Sequence, residues 1–121
     1  MSVFDSSALI AILKEEPGAS RVHEFLDGVA RCSAANWSEV AQKVPQYGLG
    51  WPAARAALLT LGIEVEPVTA DDAERAAAMW APGTALSLGD RLCIALGRRL
   101  NTEVITCDSA WAEHPGVVVV R

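Results

Sequence analysis

Residues 86–111 read LSLGDRLCIALGRRLNTEVITCDSAW, a helix-like segment followed by a strand-like one. Apolar residues recur at helical spacing over Arg91–Leu100, and a polar Asn-Thr pair then separates this helix from a strand at Glu103–Cys107. One acid, Asp90, stands where the helix begins, and another, Asp108, stands where the strand ends. In an open parallel sheet the carboxyl ends of strands and the N-termini of helices meet at one edge. We therefore expect both acids to face the same crevice.

The rest of the chain alternates between strand-like and helix-like segments. We predict further strands at Ser2–Asp5, Val29–Ala34, Ile63–Val68 and Val117–Val120. Further helices are predicted at Ala8–Glu15, Ala19–Leu26, from Asn36 to a stop at Pro45, at Trp51–Leu61, and from Asp71 to Trp80. Such alternation is typical of a parallel sheet, and the wholly apolar last strand is expected to be covered on both faces. The prediction is a single α/β domain over residues 1–121, a three-layer α/β/α sandwich around a central parallel five-stranded sheet.

The composition indicates an ordinary globular domain. Apolar residues make up 51% of the chain and charged residues 21%. No apolar run approaches the roughly 20 residues of a membrane helix, and the first residues do not read as a signal peptide. The three scattered cysteines form no C-x-x-C pair, and the two histidines stand alone, which argues against a zinc site. We expect a cytoplasmic protein with reduced thiols and no membrane contact.

Two more acids map to the edge that holds Asp90 and Asp108. Asp5 ends the first predicted strand, and Glu39 lies one turn into the third predicted helix. Carboxylates without histidine or cysteine are the ligands expected for Mg²⁺ or Mn²⁺. Such ions can orient an attacking water, promote its deprotonation and stabilise charge on the leaving oxygen of a phosphodiester. The net charge of −5 argues against a broad basic binding surface, but these four acids account for much of it.

Each of these acids also has a purely structural explanation. Asp5 or Asp108 can form a local turn with its own backbone, and Asp90 can cap its helix. Glu39 has the spacing of a capping box with Asn36 and also of an ion pair with the lysine four residues later. The acids therefore favour metal-dependent phosphoryl hydrolysis only as a group.

Four pieces of sequence match one known family, in order and at matching spacing. They are VFDSSALIAIL, SAANWSEVAQKV, LSLGDRLCIALGRRL and VITCDSAW. On these pieces the chain resembles the PIN-domain ribonucleases, specifically the VapC toxins of bacterial toxin–antitoxin pairs, over essentially its whole length. The combination of L-S-x-G-D-R-x-C-I-A-L with T-x-D-x-x-W makes the resemblance specific. Pro45 departs from the uninterrupted third helix of the family, which leaves Glu39 in place but alters the shape of the groove beside it.

The resemblance implies an endoribonuclease that depends on Mg²⁺ or Mn²⁺ and uses water as the nucleophile. It implies an acidic metal site formed by Asp5, Glu39, Asp90 and Asp108. Polar positions that line such a site, and that hold a water or a ligand carboxylate, match Ser6, Asn36 and Thr106. The basic candidates for contact with the RNA backbone are Arg91, Arg98 and Arg99. Of these we expect Arg91 to pair with a site carboxylate instead.

The resemblance also implies partners. Toxins of this family pair as homodimers, and a cognate VapB-like antitoxin wraps them and blocks the site, which gives a hetero-oligomer. An apolar stripe is either part of an antitoxin groove or ordinary core, and the sequence leaves both open; it consists of Leu9, Ile12, Leu13, Val22, Phe25 and Leu26. The four tryptophans can stack on bases, although we expect packing for each; they are Trp37, Trp51, Trp80 and Trp111.

Three other functions compete with this interpretation. One is a nuclease of the same fold that acts on DNA or in RNA processing, although the chain has no long insertion of the kind expected there. Another is a non-catalytic interaction module, which the presence of all four acids disfavours. A receiver domain would need paired acids after the first strand and a lysine after the fifth, and the sequence lacks both.

Overall fold

Five parallel strands form the centre of the computed structural model, which describes residues 1–120. They are β1 (Ser2–Phe4), β2 (Ala30–Ser33), β3 (Ile63–Glu66), β4 (Glu103–Thr106) and β5 (Val117–Val119). The order across the sheet is β3-β2-β1-β4-β5, and every neighbouring pair is parallel. The predicted five-stranded parallel sheet is confirmed, with β1 at its centre and β4 beside it.

Helices connect the strands, as parallel pairing requires. They are α1 (Ser6–Leu13), α2 (Ala19–Glu24), α3 (Ala34–Lys43), α4 (Trp51–Thr60), α5 (Ala70–Ala78) and α6 (Leu88–Arg99). Short 3₁₀ segments follow α3 at Val44–Tyr47 and follow β4 at Ser109–Trp111. The break that Pro45 predicts is therefore present, because α3 ends at Lys43. None of the helices within residues 1–120 has the length and hydropathy needed to cross a bilayer.

The sheet separates two apolar clusters, which makes the fold three layers. Successive residues of a strand face opposite sides, and Phe4 and Val3 accordingly belong to different clusters. Phe4 packs with residues of α1 to α4, whereas Val3 packs with residues of α6. The apolar stripe considered above as a groove belongs to the first cluster, since Leu9 and Val22 are fully buried. β5 lies at the edge of the sheet and its residues Val117–Val119 are half-buried, yet Val118 and Val120 pack on the first cluster and Val117 on the second, so both faces are covered as expected.

The helices that carry the candidate acids begin earlier than predicted. α1 starts at Ser6 because Asp5 itself caps it, and its carboxylate accepts a hydrogen bond from the Ala8 N–H. α3 starts at Ala34 because Ser33, not Asn36, is its N-cap. α6 starts three residues before the predicted Arg91, after the N-cap Ser87. The other boundaries lie within two residues of the predicted ones.

The packing of α6 on the sheet is close. A β-carbon at Gly97 would lie 2.4 Å from Val104 Cγ2 of β4, so only glycine allows this approach of helix to strand. At the same end of α6, the Arg99 guanidinium donates to the Asp72 carboxylate of α5 at 2.9 Å. These contacts fix the position of α6, and therefore the position of the acid in its first turn.

Candidate active site

The structure brings all four candidate acids to the carboxyl edge of the sheet. Asp5 follows β1, and Asp108 follows the neighbouring strand β4 as the N-cap of the 3₁₀ segment. Glu39 lies in the second turn of α3, and Asp90 is the third residue of α6. Their charges affect one another, because repulsion by Asp90 raises the pKa of Asp5 while Glu39 and Asp108 raise that of Asp90.

Two hydroxyl groups hold Asp5 in place. Ser7 Oγ donates to both carboxylate oxygens of Asp5, at 2.8 and 2.9 Å, and Thr106 Oγ1 donates to Oδ2. Each hydroxyl oxygen in turn accepts a backbone N–H, that of Cys107 at 2.9 Å for Ser7 and that of Asp108 at 3.0 Å for Thr106. Because the amides take up lone pairs on the hydroxyl oxygens, the hydroxyl protons are directed at Asp5. The end of β4 thus positions the carboxylate that follows β1.

Ser7 is the residue that sequence reasoning missed. We expected Ser6 to line the site, but the structure gives Ser6 no hydrogen bond to Asp5 among the described residues, and it is Ser7 that bonds to Asp5. The signal was the Asp-x-Ser spacing, since a hydroxyl in the first turn can return to an N-cap carboxylate. Thr106, by contrast, lies where the sequence predicts it.

Glu39 is held between α3 and the start of α6. Asn36 Nδ2 donates to Glu39 Oε1 at 2.7 Å and to the Gly89 carbonyl oxygen at 3.3 Å. A β-carbon at Gly89 would lie 2.8 Å from Glu39 Oε1, so the carboxylate occupies the space that a side chain would fill. The expected capping box of Asn36 is therefore wrong, and Glu39 forms no ion pair with Lys43 in the described part of the chain. Asn36 does contact a candidate ligand, as the resemblance implies.

Asp90 serves both its helix and the site. With Ser87 it forms a capping box, in which Asp90 Oδ2 accepts the Ser87 N–H at 2.9 Å and Ser87 Oγ accepts the Asp90 N–H at 3.1 Å. Burial raises the pKa of Asp90, and repulsion by Glu39 and Asp108 adds to this effect against the opposing bonds to Ser87. The structural explanation of Asp90 is thus correct but incomplete, since the cap leaves the carboxylate beside two other acids.

Burial and repulsion also act on Asp5. Burial raises the pKa of Asp5 to about 6, against the lowering effect of the hydrogen bonds from Thr106, Ala8 and Ser7. The fully buried Cys32 lies nearby, and its thiol pKa is raised by burial and then by the charges of Asp5 and Glu39. Cys32 is therefore an inert core thiol, as expected, whose pKa is affected by the charges of two of the four acids.

The donor set fits a hard divalent cation. Within residues 1–120 none of the four acids forms an ion pair with a basic side chain, so their negative charge is uncompensated. As the side chains stand, no three His, Cys, Asp or Glu groups in the same range converge to metal-binding distance. Asp90, Asp108 and Glu39 each accept a hydrogen bond at one carboxylate oxygen from a donor that is close in sequence. All-oxygen donors with excess negative charge suit Mg²⁺ or Mn²⁺.

The three candidate arginines do not form a basic surface at the site. Arg91 Nη1 donates to the Ala76 carbonyl oxygen of α5 at 2.9 Å, so the expected ion pair of Arg91 with a site carboxylate is wrong. Arg99 binds Asp72, and Arg98 is exposed at the same end of α6. At 1.5 Å per residue, that end lies about 12 Å along the helix from Asp90. These three arginines therefore place little free positive charge beside the four acids.

One tryptophan differs from the other three. Trp37 and Trp51 pack edge to face with ring centroids 5.2 Å apart, and Trp111 is fully buried, so the packing expected for these is confirmed. Trp80 is 57% exposed. It follows α5, whose last turn is joined to the first turn of α6 by the Arg91 bond described above. Trp80 therefore lies at the end of the helix pair that holds Asp90.

Comparisons with known proteins give one family and several solved structures. The chain matches the family model of the PIN domain over residues 2–117. It is 27% identical to a chain in a toxin–antitoxin complex from Klebsiella pneumoniae, with 98% of this chain and 97% of that chain covered and a TM-score of 0.81. VapC20 from Mycobacterium tuberculosis, described as a sarcin-ricin loop cleaving toxin, is 21% identical over 100% of both chains, with a TM-score of 0.82. FitAcB from Neisseria gonorrhoeae is 20% identical, covers 97% and 96%, and has a TM-score of 0.68. The last two show likeness of fold. No curated protein matches the chain in sequence.

Proposed function

Because this chain belongs to the PIN-domain family, whose members are nucleases, we propose that it is a metal-dependent endoribonuclease and the toxin of a toxin–antitoxin pair. The similar chain from Klebsiella pneumoniae comes from such a complex, which supports the second part of the proposal. The similar VapC20 is described as cleaving an RNA loop, which supports RNA as the substrate class.

One observation carries the catalytic part of the proposal. Four acids from separate elements meet at the carboxyl edge of the sheet, and no described basic side chain neutralises them. Ordinary helix caps do not need to share one edge or repel one another, whereas Asp90 repels Asp5, and Glu39 and Asp108 repel Asp90. A divalent cation would remove this repulsion, and PIN nucleases generally use divalent metals.

The residues that would hold Mg²⁺ or Mn²⁺ are Asp5, Glu39, Asp90 and Asp108. The bound ion would activate water and stabilise charge on the leaving oxygen of the phosphodiester. The chain's own part is to orient the ligands. The hydroxyls of Ser7 and Thr106 direct their protons at Asp5, which commits them as donors and leaves water as the nucleophile.

Substrate contact in this proposal relies little on basic side chains. Arg91 and Arg99 are engaged within the protein, and Arg98 lies at the far end of α6. The exposed indole of Trp80, two residues beyond the end of α5, offers a stacking face to an unpaired base. We propose that RNA is held at the site by the ion and by stacking, in a single-stranded or looped region.

The partner part of the proposal includes a second copy and an antitoxin. We propose a homodimer in the cytoplasm that a VapB-like antitoxin binds and inhibits, giving a hetero-oligomer. In the apolar stripe, Leu9, Ile12 and Val22 are core, whereas Leu13, Phe25 and Leu26 are only partly buried and leave part of the stripe accessible to an antitoxin. Co-expression with the protein encoded beside it, followed by size measurement of the purified complex, tests this part.

The decisive experiment is cleavage of the host's total RNA by purified, antitoxin-free protein. The assay is run with Mg²⁺, with Mn²⁺ and with chelator, for wild type, Asp90→Asn and the control Asp71→Asn. Asp71 is an exposed acid in the first turn of α5, paired with Arg75, and so repeats the chemical change away from the site. We expect discrete cuts that require metal, disappear in Asp90→Asn and persist in Asp71→Asn.

Other outcomes would identify the competing functions. Folded protein that neither cuts RNA nor takes up Mn²⁺ would indicate a non-catalytic interaction module. Metal-dependent cutting of DNA in place of RNA would indicate a DNA nuclease of the same fold. Equal loss of activity in both variants would show that Asp90 has no special part in the reaction.

A further inference from the structure

The first turn of α6, which carries Asp90, is less buried than the rest of that helix. The buried residues of α6 are residues 92–97, whereas Leu88 is 58% exposed and Asp90 is half-buried. The capping box between Ser87 and Asp90 closes the turn on itself and joins it to no other element. Core packing therefore fixes the body of α6 more firmly than the turn that holds the acid.

Two side-chain hydrogen bonds within residues 1–120 join this turn to neighbouring helices. Asn36 Nδ2 of α3 donates to the Gly89 carbonyl oxygen at 3.3 Å. Arg91, whose own N–H closes the turn on the Ser87 carbonyl oxygen, donates through Nη1 to the Ala76 carbonyl oxygen of α5 at 2.9 Å. The bond from Arg91 is the shorter one and has a charged donor, so it is the stronger of the two.

Arg91 is an unfavourable residue at this position if stability alone is considered. Its guanidinium forms no ion pair with a carboxylate in the described part of the chain, and its Nε is buried without an acceptor. A buried donor without a partner costs free energy, and apolar side chains of similar size can often replace a buried charge without loss of stability. The contact that Arg91 does make is with the last turn of α5, whose carbonyl groups carry partial negative charge. The junction of α5 with the start of α6 therefore accounts for the arginine.

We infer that Arg91 is a positioning residue of the candidate site. Its bond to the end of α5 fixes the turn that begins α6, and thereby sets the position of Asp90 relative to the other three acids, which belong to other elements. Without this bond Asp90 would keep its capping box with Ser87, but the whole turn could move away from those acids. The inference rests on the proposed function, because it takes the four acids as the place of the ion.

The test compares two arginines that join the same pair of helices at opposite ends. Arg99 donates to the Asp72 carboxylate of α5 at 2.9 Å, so Arg99→Met repeats the chemical change of Arg91→Met far from Asp90. The electron paramagnetic resonance signal of free Mn²⁺ gives the dissociation constant of each variant. We expect Arg91→Met to bind Mn²⁺ about tenfold more weakly than wild type, the usual effect of losing a group that orients a metal ligand.

The control should separate positioning from stability. Arg99→Met leaves the buried Asp72 carboxylate without its cation, so it should unfold at a lower temperature than Arg91→Met and still bind Mn²⁺ like wild type. Arg91→Lys restores a charged donor and should recover part of the lost affinity. Arg91→Gln serves in place of the methionine variant if that variant does not fold.

RNA cleavage at saturating Mn²⁺ gives an independent measurement. A misplaced Asp90 should lower kcat of Arg91→Met with little change in KM for RNA. A raised KM with unchanged Mn²⁺ affinity would assign Arg91 to direct contact with RNA and overturn the inference.

Three results of the Mn²⁺ titration would also count against it. Arg91→Met that binds Mn²⁺ like wild type would overturn the inference, whatever its thermal stability. Equal losses of affinity in Arg91→Met and Arg99→Met would do the same, because any loosening of the helix pair would then be sufficient. Wild-type protein that takes up no Mn²⁺ would instead refute the proposed metal site, and this inference with it.

Discussion

Replacing Gly89 with alanine is expected to damage the candidate site while leaving the fold intact. The new β-carbon would lie 2.8 Å from Glu39 Oε1 and 2.9 Å from Cδ and Oε2. Ordinary contact begins near 3.4 Å, so the carboxylate must withdraw by about half an ångström. Only the end of a flexible side chain stands in the way, and the backbone of α6 need not move.

The two consequences of Gly89→Ala differ in size and sign. In a helix alanine is favoured over glycine by about 0.5–1 kcal/mol, which offsets the cost of moving Glu39, so the free energy of unfolding should change by less than about 1 kcal/mol. The displaced carboxylate stretches its 2.7 Å bond to Asn36 and shifts a proposed ligand. We expect Mn²⁺ affinity to fall about tenfold, which corresponds to about 1.4 kcal/mol.

Gly97→Ala in the same helix is the matched control. Its β-carbon would lie 2.4 Å from Val104 Cγ2 and 3.3 Å from the Thr102 carbonyl oxygen, both in packed surroundings. The helix would have to move off the sheet, and overpacking of this kind costs about 1–3 kcal/mol. Because Gly97 lies about 12 Å along α6 from Gly89, Mn²⁺ affinity of the folded protein should be unchanged.

Denaturant unfolding and Mn²⁺ titration on both variants give the result. The expected pattern is a stable Gly89→Ala with weak Mn²⁺ binding and an unstable Gly97→Ala with normal binding. Gly89→Ala that binds Mn²⁺ like wild type would refute the idea that Glu39 needs this space. A loss of stability as large as that of Gly97→Ala would refute the claim that only the carboxylate yields.

Three other side chains give predictions that simple variants can check. Ser7→Ala should destabilise the protein by about 1–3 kcal/mol in denaturant unfolding, because it removes the hydroxyl that donates to Asp5 and accepts the Cys107 N–H. It should also lower RNA cleavage, and unchanged activity would contradict the role of Ser7. Burial alone would raise the pKa of Asp72, but hydrogen bonds from Arg99 and Thr69 outweigh this effect and hold that pKa below 3.8. Ionised Asp72 therefore stabilises the fold above pH 3.8. This contribution is lost as the pH falls through the lowered pKa. The stability difference between wild type and Asp72→Asn, about 1–3 kcal/mol at pH 7, should therefore shrink below pH 4, and a difference independent of pH would count against this pairing. Trp80→Ala should raise KM for RNA at least several-fold with little change in kcat. The control is Tyr47→Ala, which removes another exposed aromatic side chain and should change neither constant. Equal effects of the two substitutions would exclude a stacking role for Trp80.

The fold was predictable because periodicity and topology are encoded locally. Alternating strands and helices imply parallel pairing, and parallel pairing brings acids that follow strands and acids that begin helices to one edge. For this reason the sequence alone was enough to group Asp5, Glu39, Asp90 and Asp108. Thr106 could be placed for the same reason, since it precedes Asp108 at the end of a strand.

The details that the sequence did not predict depend on contacts between elements or on backbone angles. Whether Ser6 or Ser7 reaches Asp5 depends on which residue caps α1, and residue type alone does not distinguish these two neighbouring serines. Arg91 donates to the Ala76 carbonyl oxygen only because α5 packs beside α6, which no local pattern shows. The apolar run of β5 resembles that of a central strand because strand order is a property of the whole chain.

The hydroxyl pair around Asp5 has a consequence for how the protein is made. Asp5 leaves the ribosome about one hundred residues before the Thr106 hydroxyl and the Cys107 amide that orient it. β1 likewise gains its neighbour β4 only at that stage. On the proposed site, a half-translated chain therefore carries the acid without its geometry, and a prematurely terminated chain is inert. The candidate site is therefore complete only after β4 and Asp108 have been synthesised.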